Sequence, residues 1–467
     1  MELRLSFIAE AAGGERAGED VPVAGISFDS RTARAGQLFI PVRGEHSDGH
    51  DFVGQAIKGG ASAFLWERRR ALPKEWADLP HVLVEDSVRA LQDSARAWRD
   101  RLAPKVVAVT GSNGKTATKE FVAAMAASVF RTTRSPGNAN SQIGLPKTIL
   151  ELPSDTQVAV LEMGMSEPGQ IARLCRIARP DIGIITMIGE AHLAYLGSRQ
   201  AIAQAKWELV SSLAPGATAV IPDDEPLFTD LEAPDGVRVV HFGETPAADV
   251  RMVSYVPAGI AGGEVALQNG DRFLLRAPGR HQARNALAAL AAGDALGVPR
   301  KQALAALCAV DMERLHLSVL RLGRHTTLID DAYNAAPSSM QAALRLLHDT
   351  AADVRMAVFG DMAELGPGSE RMHEDIGAAA SDLDFVFACG HFSASYAAGV
   401  RKAAAQSGAR AWEAKTWEEL VEPLWERICA VEADGRSAAV LVKGSRSAGM
   451  ERIVAALVQR AAAARTD

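Results

Sequence analysis

The stretch Val106-Val107-Ala108-Val109-Thr110-Gly111-Ser112-Asn113-Gly114-Lys115-Thr116 decides the fold. Its first four residues read as a buried strand, because stiff β-branched side chains suit a sheet covered on both faces. The glycines let backbone N–H groups turn inward around phosphate oxygens, and a helical pattern over 116–129 places a helix N-terminus behind them. A strand, a Gly-rich turn and a helix in that order form the context a phosphate-binding loop requires. Lys115 would neutralise the β- and γ-phosphates and Thr116 would offer a hydroxyl to Mg2+. The loop is a shortened version of GxxxxGK(S/T), since Val109 stands where the first glycine belongs.

Working outward, 158–161 and 182–185 read as further buried strands, and 283–296 as a helix that closes this block. Strands alternating with helices predict a parallel sheet with crossover helices. Residues 215–277 carry short extended runs and read as a small β insertion. Upstream, Gly25-Ile26-Ser27-Phe28 and Leu38-Phe39-Ile40-Pro41 are short apolar runs broken by turns, and 86–102 has helical periodicity through Val88, Leu91, Ala95, Trp98 and Leu102. Downstream, Leu328-Ile329, 355–359, 385–387 and 438–442 repeat the strand pattern, and a last helix is predicted over about 447–464. The fold class is α/β in three domains. A small mixed α/β domain spans 1–103, a central P-loop ATPase domain with a parallel sheet spans 104–312, and a Rossmann-like domain spans 313–467.

Composition agrees with that reading. The 467 residues suit about three domains at roughly 150 residues each. A hydrophobic content of 48% beside 23% charged residues excludes wholesale disorder. The formal charge of −7 lacks the basic surplus of a nucleic-acid binder, yet permits basic pockets for anionic small molecules. Cys175, Cys308, Cys389 and Cys429 form no CxxC pair, so a zinc ribbon or disulfide framework is not expected and a reducing compartment is. No secretory signal opens the chain and no long uncharged apolar run follows, so a cytoplasmic protein without a membrane partner is expected.

Several polar groups fall at predicted strand ends, where open α/β sheets bind ligands. Glu162, in Leu161-Glu162-Met163-Gly164, could ligate Mg2+ as a hard oxygen donor, although a lone strand-end acid is ordinarily just solvated. Gly189-Glu190-Ala191-His192 and Ala205-Lys206-Trp207-Glu208 supply a His and a Lys that spacing alone does not distinguish from structural residues. In Pro278-Gly279-Arg280-His281-Gln282-Ala283-Arg284-Asn285, Asn285 could read a base edge or simply belong to a helix start. Asp330-Asp331-Ala332-Tyr333-Asn334-Ala335, Gly360-Asp361-Met362-Ala363-Glu364-Leu365-Gly366 and Lys443-Gly444-Ser445-Arg446 each follow a strand of the third block, which makes one polar cleft the expected arrangement.

Taken together, these motifs resemble the Mur ligase family, the ATP-dependent amino-acid and dipeptide ligases of peptidoglycan synthesis. The TGSNGKT, EMG, GEAH and AKWE runs match its central domain. The runs PGNANSQIGLP at 136–146, DDAYNA, GDMAELG and KGSRSAGME are similar to its dipeptide-adding branch. The resemblance implies that Gly111, Ser112, Asn113, Gly114, Lys115, Thr116, Asn285, Arg314 and Asp331 bind ATP. It implies that Thr116, Glu162, His192 and a carbamylated Lys206 hold Mg2+, and that Lys115, Lys206, His192 and Glu162 are catalytic. A uridine-linked muramoyl tripeptide and the dipeptide D-Ala-D-Ala are the implied substrates. Ser30, Arg31, Arg43, Asn138, Asn140, Ser141, Asn334, Lys443 and Arg446 are their implied contacts. An acyl-phosphate route and a monomeric enzyme are expected. Gln282 stands where the family usually has Asn, Ala336 where many members have a second Asn, and Glu313 where Gly usually precedes Arg314. The Asp-Asn-Pro-Arg motif of diaminopimelate-adding relatives is absent, as is the Asn-Lys-x-Asp motif a GTPase switch would need. Retention of Lys115, Glu162, His192 and Lys206 argues against a non-catalytic scaffold.

Overall fold

The computed structural model describes residues 2–44, 47–310, 317–403 and 410–464, which form three sheets flanked by helices. In the first sheet the strand order is Glu15–Ala17, His81–Val84, Ala63–Glu67, Gln37–Phe39 and Gly25–Ser27, parallel except for the first pair. The helix Ser87–Leu102 leaves this sheet where expected, with the Asp86 carboxylate accepting the Arg89 N–H at 2.8 Å as its N-cap.

The central sheet places Lys105–Thr110 in its interior, between Val158–Glu162 and Ile182–Ile185, all parallel. Alternation along Lys105–Thr110 sorts its side chains. Val106 and Ala108 face a core that includes Leu145, Ile149, Ile171 and Leu209, whereas Val107 and Val109 face Phe121, Val122, Leu287 and Leu290. Helices therefore cover both faces, as a parallel sheet requires. The expected β insertion is corrected by the pairing. Thr218–Pro222 and Arg238–Gly243 extend the same sheet in parallel, and Val250–Pro257, Gly263–Leu267 and Arg272–Leu275 complete its edge. Short extended runs carry no signal for which sheet they join, so the sequence pattern could not separate an insertion from an edge.

The third sheet runs Ser318–Arg321, Thr326–Asp331, Ala438–Lys443, Val354–Phe359, Phe385–Cys389 and Arg410–Ala414, parallel after its first pair. Ile329, Ala357, Phe359 and Leu441 pack on the helices Pro337–Asp349 and Ser369–Ala379, and Leu328, Met356, Val358 and Val440 pack on Glu418–Ala433 and Glu451–Ala463. Among the described residues no helix is long and apolar enough to cross a membrane. All four cysteines are free thiols.

Candidate active site

At the carboxyl end of Lys105–Thr110 the chain turns through Gly111 (φ 151°) and Gly114 (φ 80°) into the helix Lys115–Ala127. Both glycines are required by space as well as conformation. A Cβ at Gly111 would collide with the Thr186 hydroxyl, and one at Gly114 would collide with the Asn285 carboxamide. The Thr186 hydroxyl donates to the Asn113 carbonyl at 2.5 Å and so braces the loop from the neighbouring strand end. Lys115 Nζ folds back on the Gly111 carbonyl at 2.8 Å. Burial pushes its ammonium below the ordinary lysine range, and the Glu162 carboxylate opposes that shift.

Glu162 ends the adjacent strand and is almost completely buried. Its Oε2 accepts from Thr116 Oγ1 at 3.0 Å, and its Oε1 accepts from Asn140 Nδ2 at 2.8 Å. Asn138, Asn140 and Ser141 stand on the segment after Pro136, and the Gln142 carbonyl accepts from Gln92 Nε2 of the first unit's helix at 2.9 Å. This segment thus links the first unit to the phosphate-binding loop.

Lys206 lies inside the helix Arg199–Ser211, buried, and among the described residues no carboxylate pairs with it. Burial pushes its amine well below the ordinary lysine range, and the Lys115 cation adds to the effect. His192 occupies a left-handed turn (φ 66°), and its Nδ1 lies 2.7 Å from Glu364 Oε2 of the third unit. Burial lowers its imidazole, Glu364 opposes, and Lys206 and Lys115 add to the lowering. Ala194 N donates to the Glu364 carbonyl at 2.9 Å, and Asn113 Nδ2 donates to Ser338 Oγ at 2.9 Å, so the third unit sits against the central one at both turns.

A cavity of about 890 Å³ opens between these elements. Ser112, Asn113, Gly114, Lys115, Thr116, Asn138, Asn140, Ser141, Glu162, His192, Asn285, Asp331, Asn334 and Lys443 line it. Parallel pairing sets Asp331 beside Lys443, whose Nζ donates to Asp331 Oδ2 at 2.7 Å and to the Asn334 carbonyl at 2.9 Å. Asn285 donates to Gln282 Oε1 at 3.1 Å, so the glutamine at this position holds the carboxamide that abuts Gly114. Gly111 and Lys206 are not among the lining residues. Nor is Arg446, with its guanidinium 6.0 Å from the Tyr333 ring centroid. Ser30, Arg31 and Arg43 belong to the first unit and do not line the cavity. Ser30 donates to Gln55 at 2.9 Å, Arg31 pairs with Asp29 at 2.7 Å, and Arg43 pairs with Asp48 at 3.1 Å. Asp361 accepts the amides of His391 and Phe392 rather than facing the cavity. Arg314 and Glu313 lie outside the described residues.

Sequence reasoning missed Thr186, Ser338, the contact role of Glu364, and Lys119, which is buried against Glu162. Only Lys119 carried a signal, since it stands one helical turn after Lys115 on the same face. The arrangement offers backbone amides and Lys115 for a polyphosphate, an oxygen pair at Thr116 and Glu162, and a polar wall from the third unit across the cavity.

Comparison with known proteins gives one consistent answer. Residues 109–293 match the Mur ligase middle domain, 313–446 the Mur ligase, glutamate ligase domain, and 22–99 the Mur ligase family, catalytic domain. The UDP-N-acetylmuramoyl-tripeptide–D-alanyl-D-alanine ligase of Bacillus subtilis is 35% identical over 94% of this chain and 94% of its own. MurF from Acinetobacter baumannii superposes with a TM-score of 0.88 at 29% identity, over 98% of this chain and 99% of its own. MurF ligase from Thermotoga maritima in complex with ADP superposes with a TM-score of 0.80 at 28% identity, over 94% and 98%.

Proposed function

The chain belongs to the Mur ligase family, and from that premise we propose that it joins D-alanyl-D-alanine to UDP-N-acetylmuramoyl-tripeptide, converting ATP to ADP and phosphate. The observation that carries this reading is one cavity lined by the phosphate-binding loop, by Asn138, Asn140 and Ser141, and by the Asp331–Lys443 pair of the third unit. An enzyme that joins two substrates while cleaving ATP must hold all three around one reaction centre. The reading includes a cytoplasmic monomer that acts on small molecules, with the uridine end of the precursor held by Ser30, Arg31 and Arg43 of the first unit.

In the proposed reaction the terminal carboxylate of the tripeptide attacks the γ-phosphorus. A P–O bond forms, the bond to the ADP oxygen breaks, and an acyl phosphate results. Two anions must approach, so the barrier falls only where their charge is neutralised, and Lys115 at the loop supplies one cation. The neutral amine of the dipeptide then attacks the acyl carbon. The tetrahedral adduct loses phosphate to leave the amide, and the amine proton passes to an acceptor. Lys443 and Asn334 stand on the wall where the dipeptide would lie, and Arg446 stands just behind it. Contact of the third unit at His192 and Asn113 shields the acyl phosphate from water.

The donor set fits magnesium. Among the described residues no group of three or more His, Cys, Asp or Glu side chains is spaced to enclose a metal. Mg2+ ordinarily takes one or two protein oxygens and completes its shell with phosphate and water, and Thr116 and Glu162 offer such a pair 3.0 Å apart. When bound, the ion would neutralise phosphate charge, with His192 and Lys206 as the further proposed holders. Lys206 suits the role only as a carbamate: its neutral amine attacks CO2, an N–C bond forms, a proton leaves to solvent, and an anionic oxygen donor remains. Its burial favours the neutral amine that this step needs. The test is incubation with UDP-N-acetylmuramoyl-tripeptide, ATP and Mg2+, with D-Ala-D-Ala or single amino acids, followed by mass analysis. The dipeptide adduct is expected, and a clear preference for a single amino acid would overturn the specific assignment.

A further inference from the structure

We propose that Lys119 is a positioning residue for the reaction, whose ammonium group fixes the Glu162 carboxylate beneath the phosphate-binding helix and ties the 136–141 segment to it. This rests on the ligase reading above. Lys119 follows Lys115 by four residues and Thr116 by three, so all three share one face of the helix Lys115–Ala127. Its side chain is fully buried. A buried ammonium is costly unless paired, and an apolar side chain would fill the same space without that cost. The charge is therefore explained by what it touches.

Three partners surround it. Nζ donates to the Gly137 carbonyl at 2.7 Å and lies 3.5 Å from Glu162 Oε2 and 3.7 Å from Glu120 Oε1. Arg134 already pairs with Glu120 at 2.7 Å, whereas Glu162 has Lys119 as its ion-pair partner among the described residues. The other two contacts of Glu162 are neutral donors, Thr116 and Asn140. One ammonium thus holds both the Glu162 carboxylate and the backbone that leads to Asn138, Asn140 and Ser141. Such support fixes the rotamers of groups that meet substrate without touching substrate itself.

The test compares Lys119→Met with Lys119→Gln in the full chain. Gln keeps an N–H donor towards Gly137 but no charge. Circular dichroism and melting establish folding, calorimetry gives ADP affinity with Mg2+, and initial rates give kcat and the KM of each substrate. Both variants are expected to fold and to lose ADP affinity on the order of 10-fold and kcat on the order of 100-fold. The KM for D-Ala-D-Ala should stay within about twofold of wild type, because its wall is built on the third sheet. A folded Lys119→Met with wild-type ADP affinity and kcat would overturn the proposal. So would an equal loss for all three substrates, the signature of general loosening. If the Met variant does not fold, Lys119→Gln is judged by the same criteria. Wild-type ligation run in parallel separates the two readings: without wild-type product the ligase reading fails, and the ADP affinities still decide the role of Lys119.

Discussion

Replacing Lys206 by Met isolates the chemistry of one buried amine. The two side chains are close in volume, and among the described residues Lys206 pairs with no carboxylate, so the substitution removes no ion pair. The sign of the stability change follows from linkage. An unperturbed lysine titrates near about 10.4, and the folded state pushes Lys206 well below that, through burial first and the Lys115 cation second. At neutral pH the unfolded chain holds a proton that the folded chain resists, which costs the folded state about 1.4 kcal/mol for each unit by which the pH lies below the unfolded value, until the folded value is reached. This penalty is present below the unfolded value and fades as pH rises towards it. In CO2-free buffer, where Lys206 is the free amine, Lys206→Met should therefore fold with equal or greater stability than wild type at pH 7, and the gap should shrink as pH approaches about 10. Ligation should fall at least about 10³-fold, because an oxygen donor worth about 4 kcal/mol at the transition state has no replacement in a thioether. Urea melts at several pH values and ADP release measure the two effects. Rates in wild type should also fall when CO2 and bicarbonate are stripped. Wild-type turnover in the variant would refute the carbamate, and a loss of about 2 kcal/mol or more in stability would refute the unpaired amine.

Other consequences are as direct. Gly114→Ala meets the Asn285 carboxamide at a φ of 80°, so ADP affinity should drop on the order of 10-fold or more in calorimetry while the fold survives. His281 is held down to about 4, by burial first and then by Lys443 and Arg345, so it stays neutral when folded. Stability should therefore decline as pH falls from about 6.5 to about 4, by up to about 3 kcal/mol, and His281→Gln should flatten that slope in chemical melts. Glu364→Ala removes the third unit's contact with His192, where both side chains are partly exposed. Its stability cost should stay below about 1 kcal/mol. Its kcat should fall several-fold through weaker closure, which initial rates with scattering measurements of compactness would check.

How much of this was legible in the sequence depends on range. The strand, Gly-rich turn and helix at 105–127 were readable because they are adjacent in the chain, and Gly111 and Gly114 mark the backbone that packing later requires. The unbroken apolar run of Val106 to Val109 likewise foretold a sheet covered on both faces. What failed was long-range. Residues 218–222 and 238–243 join the central sheet through pairings that no local pattern encodes. Asp331 and Lys443 were both candidates, but their pairing comes from strand register across 112 positions. Lys119 shares a helix face with Lys115, but its burial beside Glu162 is a tertiary contact that no local pattern encodes. The contact of His192 with Glu364 joins two units whose relative placement has no sequence signature. Family resemblance suggested the roles proposed for Glu162, His192 and Lys206, which spacing alone could not.

In the proposed reaction one cavity couples ATP cleavage to ligation of two other substrates. ADP release from the full chain, measured with UDP-N-acetylmuramoyl-tripeptide alone, D-Ala-D-Ala alone and both together, tests it most directly. Sustained ADP release that needs both substrates, matched mole for mole by the pentapeptide product, is the expected result. ADP release that proceeds equally with either one omitted, or with no pentapeptide formed, would contradict it.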